Sequence, residues 1–209
     1  MTGPRRARLA ALSAAALMGV AGAGTWAAAA QRPSPGASLA GQLLVATERM
    51  PDPRFMRTVI YMVRHDAGGA MGLVLNRPMA EVPLARLLEQ LGIDSKEAGG
   101  TIRTHYGGPV ERGRGFVLHT DDYTGTSTLR VAAGVALTWQ PEIWHAIADG
   151  KGPRRSLFLL GHSGWGPGQL EAEMDAGHWL AVPADETLVF SEDYDGKWPR
   201  AMARRRVTL

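Results

Sequence analysis

The sequence predicts a single α+β domain: a mixed, largely antiparallel sheet with several helices packed against it. Three observations carry that expectation. Short β-branched or apolar runs outnumber segments with helical periodicity. The helical segments are interspersed without regular strand–helix alternation. Glycine (26 residues) and proline (13) cut the chain into many short elements rather than a few long helices. An apolar share of 45% over 209 residues suffices for one sizeable core.

The chain opens on a segment unlike the rest. Arg5, Arg6 and Arg8 precede an uncharged, Ala-rich stretch from Leu9 to Ala30, and Ala28-Ala29-Ala30 offers small residues for cleavage before Gln31. Residues 1–30 therefore read as an export signal, which implies a periplasmic or exported protein. Arg5-Arg6 is a weak twin-arginine feature. Uncleaved, the stretch is just long enough to span a bilayer, at roughly 20 residues, but its Ala and Gly content makes a poor anchor. Contact with a membrane is expected only through this segment. The alternative is a mispredicted start on a cytoplasmic protein. The formal charge is +3, and the leader holds three arginines and no acid, so the remainder is neutral. A neutral body gives no strong nucleic-acid signal, which would need a basic excess. Cysteine is absent, which excludes disulfides, thiolate metal sites and cysteine nucleophiles. Residues 31–38, with two prolines, read as a linker, and the domain is expected over 39–209.

Within the domain, Leu39 to Ala46 reads as a first strand. Arg57 to Val63 and Ala70 to Leu75 form a hairpin around Asp66-Ala67-Gly68-Gly69. Asn76-Arg77-Pro78 ends it, because proline cannot extend a central strand. Leu84, Leu87, Leu88 and Leu91 fall at helical spacing over 83–91, closed by Gly92. Residues 94–100 are loop. Strands are expected at 102–106, 115–119, 128–132 and 135–139, with a turn-rich loop at 121–127. Pro141 opens a helix to Ala148. Ser156 to Leu160 is a buried strand entering Gly161-His162-Ser163-Gly164-Trp165-Gly166, read as a tight glycine turn before a helix over 168–176. Trp179 to Val182 is a strand, 185–190 is ambiguous between states, and 197–205 is a terminal helix. No internal repeat is evident.

The chemistry-bearing patterns are incomplete. Gly161-His162-Ser163-Gly164-Trp165 resembles a nucleophile elbow, but Gly-x-Ser-x-Gly needs a glycine where Trp165 stands. A hydrolase using Ser163 with a histidine base (His162, His119 or His178) remains the alternative reading, and His162 is badly placed as a sequence neighbour. Glu142-Ile143-Trp144-His145 is one copy of a pattern that di-metal bundles use twice. His119-Thr120-Asp121-Asp122 has no second ligand cluster. Asp193-Tyr194-Asp195-Gly196 lacks the closing Glu of a calcium loop. No phosphate-binding or dinucleotide motif appears in strand–turn–helix context. No metal, no cofactor and no catalytic set is expected. Arg77 could bind a carboxylate or phosphate or pin a loop, and a glycine turn at 161–168 could hold an anion on its N–H groups. Trp165 is expected at a surface groove.

Four motifs occur in order: Thr58-Val59-Ile60, Gly72-Leu73-Val74-Leu75-Asn76-Arg77-Pro78, Tyr106-Gly107-Gly108-Pro109-Val110 and Gly164-Trp165-Gly166-Pro167-Gly168-Gln169-Leu170-Glu171. With Trp179 and Trp198 they resemble the AlgH/YqgE family of bacterial proteins, over about Leu39 to Ala203. The resemblance implies a compact α+β fold with a groove and a suggested role in regulating exopolysaccharide (alginate) production. It implies no catalytic residue. Asn76, Arg77, Gly107, Gly108, Pro109, Trp165, Gln169 and Glu171 match the motif positions, and with Ser163 and Gly164 they are the groove candidates. The chain departs from the family in having His162 and Ser163 where an aromatic and an alanine are usual, and in its export-like leader, since family members are usually cytoplasmic. The expected function is a non-enzymatic binding or regulatory module for a small anion or a protein partner.

Overall fold

Strand β1 (Gln42–Ala46) shows why the apolar runs are unbroken: Leu43, Leu44, Val45 and Ala46 are all buried. Successive side chains point to opposite faces of a strand, so an unbroken apolar run means both faces are covered. Leu43 and Val45 join one core cluster, and Leu44 and Ala46 join another. The computed structural model describes residues 37–90, 92, 99–132 and 134–205. The leader assigned to 1–30 and most of the linker lie outside these.

Among the described residues, ten strands and five α-helices follow one another. After β1 come β2 (Val59–Asp66), β3 (Gly69–Val74), β4 (Pro78–Pro83), α1 (Leu84–Gln90), β5 (Thr101–Tyr106) and β6 (Val110–Thr120). Then come β7 (Thr128–Ala132), β8 (Val135–Thr138), α2 (Glu142–Ala148), β9 (Ser156–Trp165), α3 (Gln169–Asp175), β10 (Trp179–Pro183), α4 (Glu186–Val189) and α5 (Tyr194–Met202). The strands form one curled sheet in the order β10-β1-β2-β3-β9-β6-β8-β7, with the β4–β5 pair attached to β9. Every pairing is antiparallel except β5 with β9. The α+β class and the largely antiparallel sheet match the sequence reading.

Curling encloses the main core. Leu43, Tyr61 and Leu73 from one half of the sheet meet Phe116, Leu137 and Leu159 from the other. Helices α4 and α5 close this core with Leu188, Val189 and Ala201. Two smaller cores lie outside the curl. Leu170 of α3 covers Ile60, Met62 and Val74 together with Trp165 and Trp179. Leu84 and Leu88 of α1, with Ile143 and Trp144 of α2, cover Val117 and Phe158.

Strand β9 holds the two halves of the sheet together. Along one edge it pairs with β6; along the other it pairs with β5 at Phe158–Leu160 and then with β3 at Ser163–Trp165. The handover occurs at Gly107-Gly108. Gly107 N donates to Leu160 O (2.8 Å), and Gly107 O accepts from Val74 N (3.0 Å). A Cβ on Gly107 would lie 2.2 Å from Gly161 O, and one on Gly108 would lie 2.1 Å from His162 C. Gly161 itself has φ 73, and a Cβ there would lie 2.6 Å from Gly108 O. Three glycines therefore let two backbones approach to a distance that no side chain permits.

The structure departs from the sequence reading at three places. The hairpin ends before Asn76-Arg77-Pro78 as read, but Pro78 then opens an unexpected strand, β4, an edge strand pairing only with β5, where missing N–H groups cost little. Residues 161–165 are not a turn but the second half of β9, kinked at Gly161; the turn is Gly166-Pro167-Gly168 alone. Helix α5 begins three residues before the expected start, because the Asp193 carboxylate accepts from Gly196 N (2.9 Å) and caps it.

Gly108→Ala is expected to destabilise the domain by more than about 3 kcal/mol, since backbone rather than a flexible side chain blocks the new methyl. Gly113→Ala, with open space around it, is expected to change stability by less than about 0.5 kcal/mol. Urea unfolding of the two variants side by side checks both; equal midpoints would remove the close-approach argument.

Candidate functional site

The structure places the four sequence motifs at one junction, and it spends most of their polar groups on the fold itself. Asn76 Oδ1 accepts from Val59 N (3.0 Å) and its Nδ2 donates to Arg57 O (2.9 Å). Arg57 sits at φ 54, and this bond together with stacking of its guanidinium over Trp198 (4.9 Å) holds it there. Arg77 donates to Met56 O (2.6 Å), while its own carbonyl accepts from Tyr106 N (2.9 Å). Gly107 and Gly108 are buried in the backbone crossing, with Pro109 leading from it into β6.

The second group of candidates lies along β9 and α3. Trp165 is buried, not at a surface: it is 8% exposed and packs edge-on against Trp179 (6.0 Å). Both indole N–H groups donate to Glu173 Oε2, at 3.0 and 2.8 Å. Gln169 donates to Glu173 Oε1 (2.8 Å) and accepts from Gly166 N (3.1 Å), so a turn N–H that could hold an anion is already bonded. Glu171 pairs with His65 Nε2 (2.8 Å), and His65 Nδ1 accepts from Leu39 N (3.1 Å), which fixes the proton on Nε2. A hydrogen bond from its own backbone N–H, then the one from His65, holds the Glu171 carboxyl below its usual range. Gly164 pairs with Met71 across the β3–β9 ladder and is exposed. Ser163 is 1% exposed, and its hydroxyl has no hydrogen-bond partner. A nucleophile needs a base within hydrogen-bond reach, and neither His162 nor any other histidine supplies one at this hydroxyl.

A cleft of about 420 Å³ lies on another part of the surface, between β5, the start of β9 and the α4–α5 corner. Period-2 geometry puts Thr101, Arg103 and His105 on one face of β5, and all three line it. Arg154 and Arg155 enter from the loop before β9, and Phe190 and Tyr194 form the opposite wall. The arginines are held in place. Arg103 pairs with Glu81 and stacks over Tyr194 (5.7 Å). Arg154 pairs with Glu186 (2.8 Å), and Arg155 Nη2 donates to Phe190 O (2.7 Å). Three guanidinium groups meet Glu81 and Glu192 in the lining and Glu186, which pairs with both Arg154 and Arg155, so the charges at the cleft balance.

His105 and Lys197 lie beside this cleft. His105 Nδ1 donates to Phe158 O (3.1 Å), since a carbonyl only accepts, and its buried Nε2 has no partner. Burial, with the Lys197 and Arg103 charges adding, pushes His105 down to about 4 against that bond, so the ring is neutral at ordinary pH. Lys197 is 0% exposed and donates to Val189 O (2.8 Å) and Leu75 O (3.2 Å), tying α5 to α4 and to the end of β3. Burial first, then Arg155 and Arg200, pushes it down to about 7, with Asp193 opposing. Sequence reasoning passed over this cleft. The i, i+2 repeat Arg103/His105 and the pair Arg154-Arg155 before a buried strand were the available signals. Among the described residues no cluster of metal-ligating side chains occurs, and no helix is long and apolar enough to cross a membrane.

The AlgH-like family model matches residues 43–209. A UPF0301 protein of Caulobacter vibrioides is 49% identical over 175 residues, which cover 83% of this chain and 90% of the relative. A UPF0301 protein of Cereibacter sphaeroides is 48% identical over 161 residues, covering 77% of this chain and 88% of the relative. The solution structure of the AlgH protein from Pseudomonas aeruginosa is similar with a TM-score of 0.70 and 41% sequence identity, covering 81% of this chain and 89% of that one. The crystal structure of a Corynebacterium diphtheriae protein, 21% identical with a TM-score of 0.66 over 85% and 91% of the two chains, shares the fold.

Two outcomes follow from the buried polar groups. Ser163→Ala removes an unbonded hydroxyl and is expected to be neutral or to stabilise by about 1 kcal/mol in urea unfolding. Lys197 has a folded pKa below its unfolded one, so the unfolded state binds more protons between about 7 and its ordinary value near 10.5. Stability from this group therefore rises as pH rises through that window, and its desolvation penalty is fully present below about pH 7. Thermal melts from pH 6 to pH 10 should show that rise in the wild type, and Lys197→Met should flatten it whatever its absolute stability.

Proposed function

The chain belongs to the AlgH-like family, and from that premise we propose that it is a non-enzymatic binding module whose ligand docks in the arginine-lined cleft. One observation carries this reading. Arg103, Arg154 and Arg155 line a concave site of about 420 Å³, within the size range of small-molecule pockets. Each is oriented by its own partner before a ligand arrives, and an anion must share Arg103 and Arg154 with the carboxylates of Glu81 and Glu186. The ligand is a small anion or the acidic segment of a protein partner. Control of exopolysaccharide production, the role that the family resemblance suggests, would run through occupancy of this cleft. A hydrolase centred on Ser163 draws no support from a buried hydroxyl without a base. Export through residues 1–30 would set the module to work outside the cytoplasm and away from DNA.

Backbone amide shifts recorded during titration with citrate and with a short poly-glutamate peptide test the reading. Shifts should cluster at Thr101–His105 and Ser156–Phe158 and vanish in Arg155→Gln. A cluster at Gln169–Glu171 instead, or none with either probe, would sink it. For export, the mature protein should be found in the periplasmic fraction with an N-terminus near Gln31; an intact Met1 in the cytosolic fraction would refute it.

A further inference from the structure

We infer that His65 is an acid-sensitive latch on the N-terminal end of the domain: its neutral ring holds Leu39, and its protonated ring releases Leu39 and keeps only Glu171. The latch does not depend on the cleft. A bulge in β2 brings the ring to this place. Tyr61 and Val63 face the enclosed core, whereas Ile60 and Met62 face the core under α3. Strict alternation would send His65 inward with Val63. The β2–β3 register shifts between Met62 and Arg64, so one extra residue reverses the alternation. His65 then lies opposite Ala70, on the α3 side of the sheet.

On that side the two ring nitrogens have opposite tasks. Nδ1 accepts from Leu39 N (3.1 Å), and Nε2 donates to Glu171 Oε1 (2.8 Å). The His65 side chain is 9% exposed, so water does not readily replace either partner. The His65 carbonyl accepts from Ser38 Oγ (2.9 Å), which itself accepts from Ala40 N (3.3 Å). Leu39 is buried against the core that holds Trp165 and Leu170. Residues 38–40 are thus fastened to the domain largely through one residue of β2. An imidazolium carries a proton on both nitrogens and has no acceptor left. The Leu39 N–H then meets another N–H and loses its partner, while the bond to Glu171 becomes an ion pair. The Glu171 carboxyl, held below its usual range, is ionised throughout the span in which imidazoles titrate and favours the change. Around the ring, α3 brings Glu171, and Glu173 of the same helix is taken by Trp165, Trp179 and Gln169. On β2 itself Arg64 and Asp66 flank the ring and pair with each other (3.7 Å), and Ala70 and residues 38–40 bring no charge. The released form binds one more proton than the latched form, so the latch is favoured as pH rises and lost as pH falls.

Hydrogen exchange at the Leu39 amide of the full-length protein, with ring protonation followed by the imidazole nitrogen shifts, tests the latch between about pH 8 and about pH 5. The Leu39 protection factor is expected to fall at least about 10-fold, with the same midpoint as ring protonation. Protection of Gly41 N, bonded to Met62 O (2.8 Å), should stay constant. His65→Asn keeps an acceptor oxygen near the place of Nδ1 and does not titrate, so Leu39 should stay protected across the whole range in that variant. Glu171→Gln should move the midpoint to lower pH, because the imidazolium loses its counter-charge. Leu39 protection that survives protonation of the ring overturns the inference, as does a ring still neutral at about pH 5. A parallel loss at Leu39 and Gly41 overturns it too, since the whole end would then be fraying, and so does pH-dependent protection that persists in His65→Asn. If His65→Asn does not fold, the Glu171→Gln midpoint decides, and an unchanged value refutes the latch.

Discussion

The fold depends on one close approach of backbone to backbone. Gly107 and Gly108 lie against Gly161 and His162 so tightly that a single methyl on either strand would overlap the other chain. This contact lets β9 leave β5 and take up β3 without breaking its hydrogen-bond edge. Because β9 also carries β6 on its far side, the whole curl of the sheet passes through the crossing. The curl in turn makes the enclosed core between Leu73 and Leu159. The glycine-rich motifs thus read as ligand loops by composition and act as a hinge post by geometry.

The same economy explains where the unused chemistry lies. Asn76, Arg77 and Gln169 hold backbone, and Trp165 and Glu171 hold the side chains of Glu173 and His65. Side chains with donors to spare stand on β5 and at the start of β9, upstream of the crossing, where the strands diverge toward the α4–α5 corner. Lys197 belongs to both regions. Its ammonium bonds the end of β3 and the end of α4 and lies 5.3 Å from the Tyr194 ring centroid at the cleft wall. A buried cation held by two carbonyls is costly to desolvate and strongly destabilising to leave half-paired.

Much of the fold was legible in the sequence. Strand and helix positions follow from apolar periodicity, and β1, β3, β5, β7, β8, α1, α2, α3 and β10 match their expected places within a few residues. The misses share a cause, which is long-range pairing. Pro78 reads as a terminator unless β5 is known to leave an edge free for it, and Gly161 reads as a turn unless its contact with Gly108 is known. The cleft was illegible for the same reason: Arg103 and Arg155 are 52 positions apart, and only the parallel β5–β9 pairing brings them to one surface. Trp165 was expected at a groove because glycine neighbours suggest exposure, whereas Glu173, one helix away, draws its indole inward.

The far ends of the chain are stitched together, and this sets an order of events in folding. Trp198 Nε1 donates to Ala46 O (2.8 Å), Lys197 reaches Leu75 O, and β1 takes its outer partner from β10. None of these can form until β10 and α5 have been synthesised. Strand β1 must wait with one open edge for β10, more than a hundred residues behind it. A topology so rich in distant contacts folds slowly. Such a chain stays extended for longer than a helical bundle of the same length, within reach of whatever machinery handles unfolded protein.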